Sequence, residues 1–135
     1  MAQTVLVADD DPLTRRVVQH YLESAGYNVT TASTGLEAME LATRELPQLI
    51  VLDMVLPDMD GPTVLRQLQN SDTTSSIPVI RISGNVGLLA HVEQSERNLV
   101  LAKPINADQF LTLVRRLTPK TLEDDKSSLG HSKEE

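Results

Sequence analysis

The sequence contains no cysteine. This absence excludes disulfide-stapled scaffolds, cysteine-ligated zinc sites and thiol nucleophiles, and it is compatible with a reducing compartment. The chain also lacks any stretch approaching the roughly 20 apolar residues that a membrane-spanning helix needs, and its amino terminus has no basic segment followed by a long apolar run. We therefore expect a cytoplasmic protein that does not enter a membrane.

Basic and aromatic residues are scarce as well. The 12 Lys and Arg residues are outnumbered by 19 Asp and Glu residues, the formal net charge is -7, and aromatic residues make up 2% of the chain. Proteins that bind nucleic acid directly usually cluster positive charge on one surface, often beside aromatic side chains. We therefore expect no direct contact with nucleic acid.

The chain does contain a regular alternation of short apolar runs and helical patterns. Predicted strands cover residues 4–8, 28–31, 49–52, 78–82 and 99–102, and a helical pattern follows each of them. The segment between Gly84 and Asn98 has room only for a short helix. Alternation of this kind predicts an α/β fold, and we expect a flavodoxin-like, doubly wound (βα)5 sandwich with a parallel five-stranded sheet of order 2-1-3-4-5.

Several element boundaries carry their own signals. Asp11, Thr34 and Asn106 are predicted to cap helices at their N-termini, and Gly26 is predicted to end the first helix in a left-handed conformation. From Thr118 onward the apolar periodicity disappears. We therefore expect one domain over residues 1–118 and a disordered tail or linker over residues 119–135.

Polar residues follow four of the predicted strands. In a sheet of this type the carboxyl ends of the strands meet at one edge, where ligands bind. The residues predicted to meet there are Asp9, Asp10 and Asp11 after the first strand, Asp53 after the third, Ser83 after the fourth and Lys103 after the fifth.

These residue types suit metal-assisted phosphoryl transfer. Clustered carboxylates repel one another, and Mg²⁺ prefers oxygen ligands, so Asp9, Asp10 and Asp53 predict a magnesium site. A carboxylate can also act as a nucleophile toward phosphorus when the charge of the transferred group is neutralised. Lys103 and the Ser83 hydroxyl have the chemistry to contact phosphoryl oxygens.

The same residues resemble a known family. Four segments resemble the receiver domains of two-component response regulators, and the resemblance extends over roughly residues 4–117. The segments are Val7-Ala8-Asp9-Asp10-Asp11-Pro12, the run from Leu52 to Gly61, Ser83-Gly84 and Lys103-Pro104. The resemblance implies that Asp53 is the phosphoacceptor, that Ser83 is the switch hydroxyl and that Lys103 binds the phosphate. It also implies that Mg²⁺ is held directly by Asp10, through water by Asp9, and by the Val55 backbone carbonyl and Asp53. A cis peptide bond is expected between Lys103 and Pro104.

A regulatory role follows from this resemblance. It implies that a histidine kinase or histidine phosphotransfer protein donates the phosphate and that a downstream protein target reads the result. The domain is then not an enzyme with a separate substrate, because it catalyses only its own phosphorylation and dephosphorylation. We expect a monomer or a phosphorylation-dependent dimer.

Two departures from the receiver pattern favour an alternative, and the first is the segment between Ser83 and Lys103, which is shorter than is typical of the family. Receivers also commonly have an aromatic residue three positions before the lysine, where this chain has Val100. A receiver-like interaction module that works without phosphorylation is therefore one alternative. An aspartyl-phosphate phosphatase of the haloacid-dehalogenase type is another, but such enzymes need a second acid two residues after the nucleophile, where this chain has Val55. Asp58 and Asp60 resemble part of a calcium-binding EF-hand loop, but Leu56 occupies the first ligand position of such a loop and cannot bind the ion. We therefore predict that Asp58 and Asp60 are loop and capping residues.

Overall fold

The computed structural model describes residues 3–84 and 98–118, which form five strands and four helices. The strands are β1 (Thr4–Ala8), β2 (Asn28–Ala32), β3 (Leu49–Asp53), β4 (Val79–Ser83) and β5 (Asn98–Ala102). The helices are α1 (Pro12–Ser24), α2 (Gly35–Glu45), α3 (Gly61–Gln69) and α4 (Ala107–Leu117). The short helix predicted between Gly84 and Asn98 and the predicted tail over 119–135 lie outside the described residues.

The five strands form a single parallel sheet in the order β2-β1-β3-β4-β5, so the predicted fold and strand order are confirmed. Ala8 pairs with Leu52, Asp53 with Ile82, and Ser83 with Ala102. This register places the last residues of four strands at one edge of the sheet. The polar residues that follow or end those strands are therefore brought together.

The two faces of the sheet bury separate apolar clusters, because successive side chains of a strand point to opposite faces. One cluster joins the sheet to α2 and α3 through residues such as Leu52, Ala42 and Val64. The other joins the sheet to α1 and α4 through Leu22 and Phe110, both fully buried. With helices on both faces, β3 is buried along its whole length, which explains its almost entirely apolar sequence.

The predicted helix boundaries are confirmed by their local chemistry. The side chains of Asp11, Thr34 and Asn106 accept hydrogen bonds from backbone N–H groups in the first turns of α1, α2 and α4. Gly26 follows α1 with a φ of +95°, a conformation that costs glycine little. At the end of α2 it is Leu46, just before Pro47, that adopts the left-handed conformation, with φ of 48°.

Within the described residues, no helix is long and apolar enough to cross a membrane.

Candidate functional site

Three carboxylates meet at the carboxyl edge of the sheet, as predicted. Asp9 follows β1, Asp10 is its neighbour, and Asp53 is the last residue of β3. One oxygen from each of the three lies within 4.8 Å of the others. Asp9 and Asp53 are buried, whereas Asp10 is exposed. The site therefore has a buried floor and one acid open to solvent.

Lys103 joins the two buried acids. Its Nζ lies 2.9 Å from Asp9 Oδ2 and 3.1 Å from Asp53 Oδ2. Its backbone N–H donates to the Ser83 carbonyl at 2.9 Å, which ties the end of β5 to the end of β4. The Lys103-Pro104 peptide bond is cis, as expected. The chain thus places one cation between the two carboxylates that are least able to reach water.

The electrostatic environment of Asp9 differs from that of Lys103. Burial raises the pKa of Asp9 despite the hydrogen bonds from the Asp11 N–H and from Lys103, and the nearby charge of Asp53 raises it further. Burial alone would lower the pKa of Lys103, but its hydrogen bonds and charge contacts with Asp9 and Asp53 outweigh burial and raise it. Lys103 is therefore cationic at neutral pH.

Asp53 is held from both sides of its carboxylate. Oδ2 accepts from Lys103, and Oδ1 accepts from the Val55 backbone N–H at 3.1 Å. The residue is 4% exposed. Because both oxygens have a donor, the side chain has a defined orientation at the edge of the sheet.

Val55 and Ser83 are the remaining predicted site residues. Val55 is 55% exposed, and its backbone pairs with Asp60 in an isolated antiparallel bridge. Ser83 is buried at the end of β4 and lies in register with Ala102, the residue before Lys103. All six predicted site residues are therefore brought to one edge of the sheet.

The acidic cluster has the composition of a magnesium site. Asp9, Asp10 and Asp53 contribute three negative charges and Lys103 one positive charge, which leaves a formal charge of -2. Hard divalent cations take carboxylate and carbonyl oxygens as ligands, and Mg²⁺ keeps several waters, which the exposed position of Asp10 permits. Burial is the main cause of the raised pKa of Asp9, and the neighbouring charge of Asp53 adds to it.

Two positively charged residues were not among the predicted site residues. Arg15 on α1 donates from its guanidinium to the Asp9 backbone carbonyl at 2.7 Å. Arg81 is buried in the middle of β4, in register with Leu52 on one side and Val100 on the other. The sequence does carry a signal for Arg81, because a charged residue within an apolar strand is unusual. Arg15 had no comparable signal, because a basic residue on a surface helix is ordinary.

The predicted loop and capping roles of Asp60 and Asp58 are confirmed. Asp60 caps α3 by accepting from the Thr63 N–H at 2.8 Å. Asp58 instead accepts from two N–H groups of α2, at Gly35 and Leu36. That contact joins two segments that are distant in sequence, so local capping patterns did not indicate it.

Comparison with known proteins agrees with this geometry. Residues 5–115 match the family model described as the response regulator receiver domain. The chain is 34% identical over 119 residues to the DNA-binding dual master transcriptional regulator RpaA of Synechocystis, covering 87% of this chain and 49% of that protein. It is 37% identical over 120 residues to the response regulator PleD of Caulobacter vibrioides, covering 87% of this chain and 26% of that protein. The chain thus spans about half the length of RpaA and about a quarter of the length of PleD.

Solved structures share the fold. The receiver domain of the sensor histidine kinase PA1611 from Pseudomonas aeruginosa, a structure with a magnesium ion coordinated in its active-site cleft, matches with a TM-score of 0.79 and 28% identity. That match covers 87% of this chain and 98% of the other. A putative response regulator from Chloroflexus aurantiacus matches with a TM-score of 0.75 and 26% identity, over 87% and 98% of the two chains.

Proposed function

The chain belongs to the family of response regulator receiver domains, and we propose that it is phosphorylated on Asp53 by a histidine kinase or a histidine phosphotransfer protein. The observation that supports this most directly is the placement of Lys103 Nζ, 3.1 Å from Asp53 Oδ2 and 2.9 Å from Asp9 Oδ2. A cation in this position neutralises charge where a phosphoryl group would arrive. Receiver domains are regulatory, and we propose no separate substrate for this one.

The reaction needs an oriented carboxylate oxygen. One oxygen of Asp53 forms a bond to phosphorus while the bond from phosphorus to a nitrogen of the donor's histidine breaks, and that nitrogen keeps the electron pair. The Val55 N–H and Lys103 hold the Asp53 carboxylate in one orientation before the donor arrives. Such preorganisation lowers the barrier because the polar groups need not reorient during transfer.

Mg²⁺ is the proposed cofactor. Asp9, Asp10, Asp53 and the Val55 carbonyl would hold it, with Asp9 acting largely through water. When bound, the ion would neutralise negative charge on the phosphoryl oxygens. The magnesium in the cleft of the related receiver from Pseudomonas aeruginosa supports this choice of metal.

The proposed output is a change in protein–protein contacts. A phosphoryl group on Asp53 would compete with Asp9 for Lys103 and would offer an acceptor to the Ser83 hydroxyl. We propose that residues 1–118 form the receiver and that residues 119–135 are a tail or linker. A downstream protein is the proposed target, and direct binding to nucleic acid is not proposed for this chain.

The decisive experiment is incubation with Mg²⁺ and acetyl phosphate, followed by intact mass measurement. We expect the wild type to gain one phosphoryl group, Asp53→Asn to gain none, and EDTA to prevent the gain. A wild type that gains no phosphoryl group would favour the phosphorylation-independent interaction module. A gain that persists in Asp53→Asn would contradict the assignment of the phosphoacceptor.

A further inference from the structure

We infer that Asp58 is a positioning residue of the phosphoacceptor site, and this inference rests on the proposed function. Asp58 lies in the loop from Met54 to Asp60, here called the acceptor loop, which connects β3 to α3. Its carboxylate holds this loop against the N-terminus of α2. The loop in turn carries Val55, which contacts Asp53.

The contact between Asp58 and α2 is bidentate. Asp58 Oδ1 accepts from the Gly35 N–H at 2.7 Å, and Oδ2 accepts from the Leu36 N–H at 2.9 Å. These N–H groups belong to the first turn of α2 and have no partner within the helix. The two hydrogen bonds, the largest influences on this carboxylate, lower the pKa of Asp58, so it is ionised at neutral pH.

Helix α2 also has a local cap. Thr34 already caps it by accepting from the Glu37 N–H at 3.1 Å, and Glu37 accepts from the Ser33 N–H at 2.8 Å. The Glu37 side chain thus bonds to the residue before the cap, which is a variant of the capping box. The local cap leaves the Gly35 and Leu36 N–H groups to Asp58, and these two bonds add a connection between α2 and the acceptor loop.

The acceptor loop is closed on itself. Val55 and Asp60 pair across it, and the Gly61 N–H donates to the Met54 carbonyl at 2.8 Å. A Cβ on Gly61 would lie 2.6 Å from Met54 Cα, so the two backbones are as close as glycine allows. A loop closed in this way transmits a displacement at Asp58 to Val55.

A second contact holds the loop at the same place. Met59 packs so closely on Gly35 that a Cβ there would overlap the Met59 side chain. The loop is thus fixed to α2 by two charge-assisted hydrogen bonds and one apolar contact. At its other end, the Val55 N–H donates to Asp53 Oδ1 at 3.1 Å. Releasing Asp58 would therefore loosen both the orientation of Asp53 and the position of the Val55 carbonyl.

The test compares Asp58→Ala and Asp58→Asn with Thr34→Ala, which weakens the start of α2 but removes neither bond to Asp58. Mg²⁺ affinity is measured by titration followed by NMR, and phosphorylation is measured with acetyl phosphate. We expect Asp58→Ala to weaken Mg²⁺ binding about three- to tenfold and to slow phosphorylation. This effect is smaller than the roughly 10- to 100-fold loss on removal of a direct partner of a metal ligand, because Asp58 acts through the loop. Asp58→Asn keeps one acceptor oxygen and should fall between wild type and Asp58→Ala.

Results for the control variant and for the wild type can each contradict the positioning role of Asp58. Thr34→Ala should leave Mg²⁺ affinity within about twofold of wild type, because a local cap affects helix stability and not the loop. If Thr34→Ala weakens Mg²⁺ binding as much as Asp58→Ala does, or if Asp58→Ala binds Mg²⁺ like wild type, the positioning role is wrong. If the wild type neither binds Mg²⁺ nor becomes phosphorylated, the proposed function fails together with this inference.

A measurement on the wild type alone is independent of how the variants fold. If the acceptor loop couples the site to α2, Mg²⁺ should shift the amide resonances of Gly35 and Leu36, because energetic coupling between two sites is reciprocal. The Gln109 amide, bonded to the Asn106 cap of α4, is the reference and should not shift. Unchanged Gly35 and Leu36 resonances at saturating Mg²⁺ would contradict the inference.

Discussion

Lys103 determines the charge balance of the site because it is the cation shared by Asp9 and Asp53. Its side chain is 23% exposed, whereas that of Asp9 is completely buried. Its pKa is raised in the folded state, so its stabilising contribution is fully present at neutral pH. That contribution is lost only as the pH rises above the ordinary lysine pKa of 10.5 and through the folded-state pKa.

Lys103→Gln should therefore destabilise the metal-free domain at pH 7. We expect a loss of about 1–2 kcal/mol of unfolding free energy, because two poorly solvated carboxylates lose their countercharge while partial exposure screens the effect. Urea unfolding followed by circular dichroism measures this loss. The control is Arg44→Gln, which removes an exposed 3.8 Å ion pair with Glu45 and should change stability by less than about 0.5 kcal/mol. Equal effects of the two substitutions would contradict the prediction.

At the scale of the helices and strands, three acidic side chains accept hydrogen bonds from backbone N–H groups at helix N-termini. Asp11 serves α1, Asp60 serves α3, and Asp58 serves α2 from the acceptor loop. Hydrogen bonds to the ionised form lower the pKa of each, with a side-chain bond from Thr14 the largest cause for Asp11 and one from Thr63 for Asp60. Each therefore stabilises the fold above the ordinary aspartate pKa of 3.8, and the contribution is lost as the pH falls through the lower folded-state value.

Asp60→Asn tests the charged part of this capping. Asparagine is also a good N-cap, so the substitution removes the charge and keeps an acceptor oxygen. The wild type should be more stable than Asp60→Asn at pH 7, and the difference should shrink below pH 3.8. Urea unfolding measures this difference in stability. It is carried out between about pH 2.5 and pH 7, because carboxylates titrate in roughly the lower part of that range.

The uncharged cap of α4 is the matched control for this pH dependence. Asn106 accepts from the Gln109 N–H at 2.9 Å, and Asn106→Ala should cost about 1 kcal/mol at every pH. A stability difference between wild type and Asp60→Asn that does not vary with pH would show that the charge of Asp60 contributes nothing to capping.

At the scale of the whole molecule, the site is built from segments that only the sheet brings together. A ligand that binds such a site only in the folded state stabilises the entire domain. Mg²⁺ should therefore raise the unfolding free energy, by about 2.7 kcal/mol when its free concentration is 100 times its dissociation constant. Thermal unfolding at increasing Mg²⁺ concentration measures this effect.

Asp10→Ala is the informative variant for metal binding because Asp10 is exposed and its loss should cost the metal-free fold little. We expect this variant to lose most of the stabilisation by Mg²⁺. The control is Glu40→Ala, which removes an exposed carboxylate of α2 and should leave the response to Mg²⁺ intact. A full response in Asp10→Ala would mean that Asp10 is not a metal ligand.

The sequence by itself determined the strand and helix pattern, because burial on both faces imposes apolar runs and helix ends need particular capping residues. It also predicted that Asp9, Asp10, Asp53, Ser83 and Lys103 meet, since each follows or ends a strand and parallel strands end at one edge. The predicted strands differ from the observed ones by at most one residue at either end.

Only the tertiary structure decided which of these groups touch. Lys103 reaches Asp53 across 50 positions of the chain, and Asp58 reaches Gly35 across 23. Arg15 holds the Asp9 carbonyl, a contact without any sequence signal. The physical reason is that local periodicity specifies the face on which a residue lies. Contacts between side chains of distant segments depend instead on how the helices and loops pack against the finished sheet.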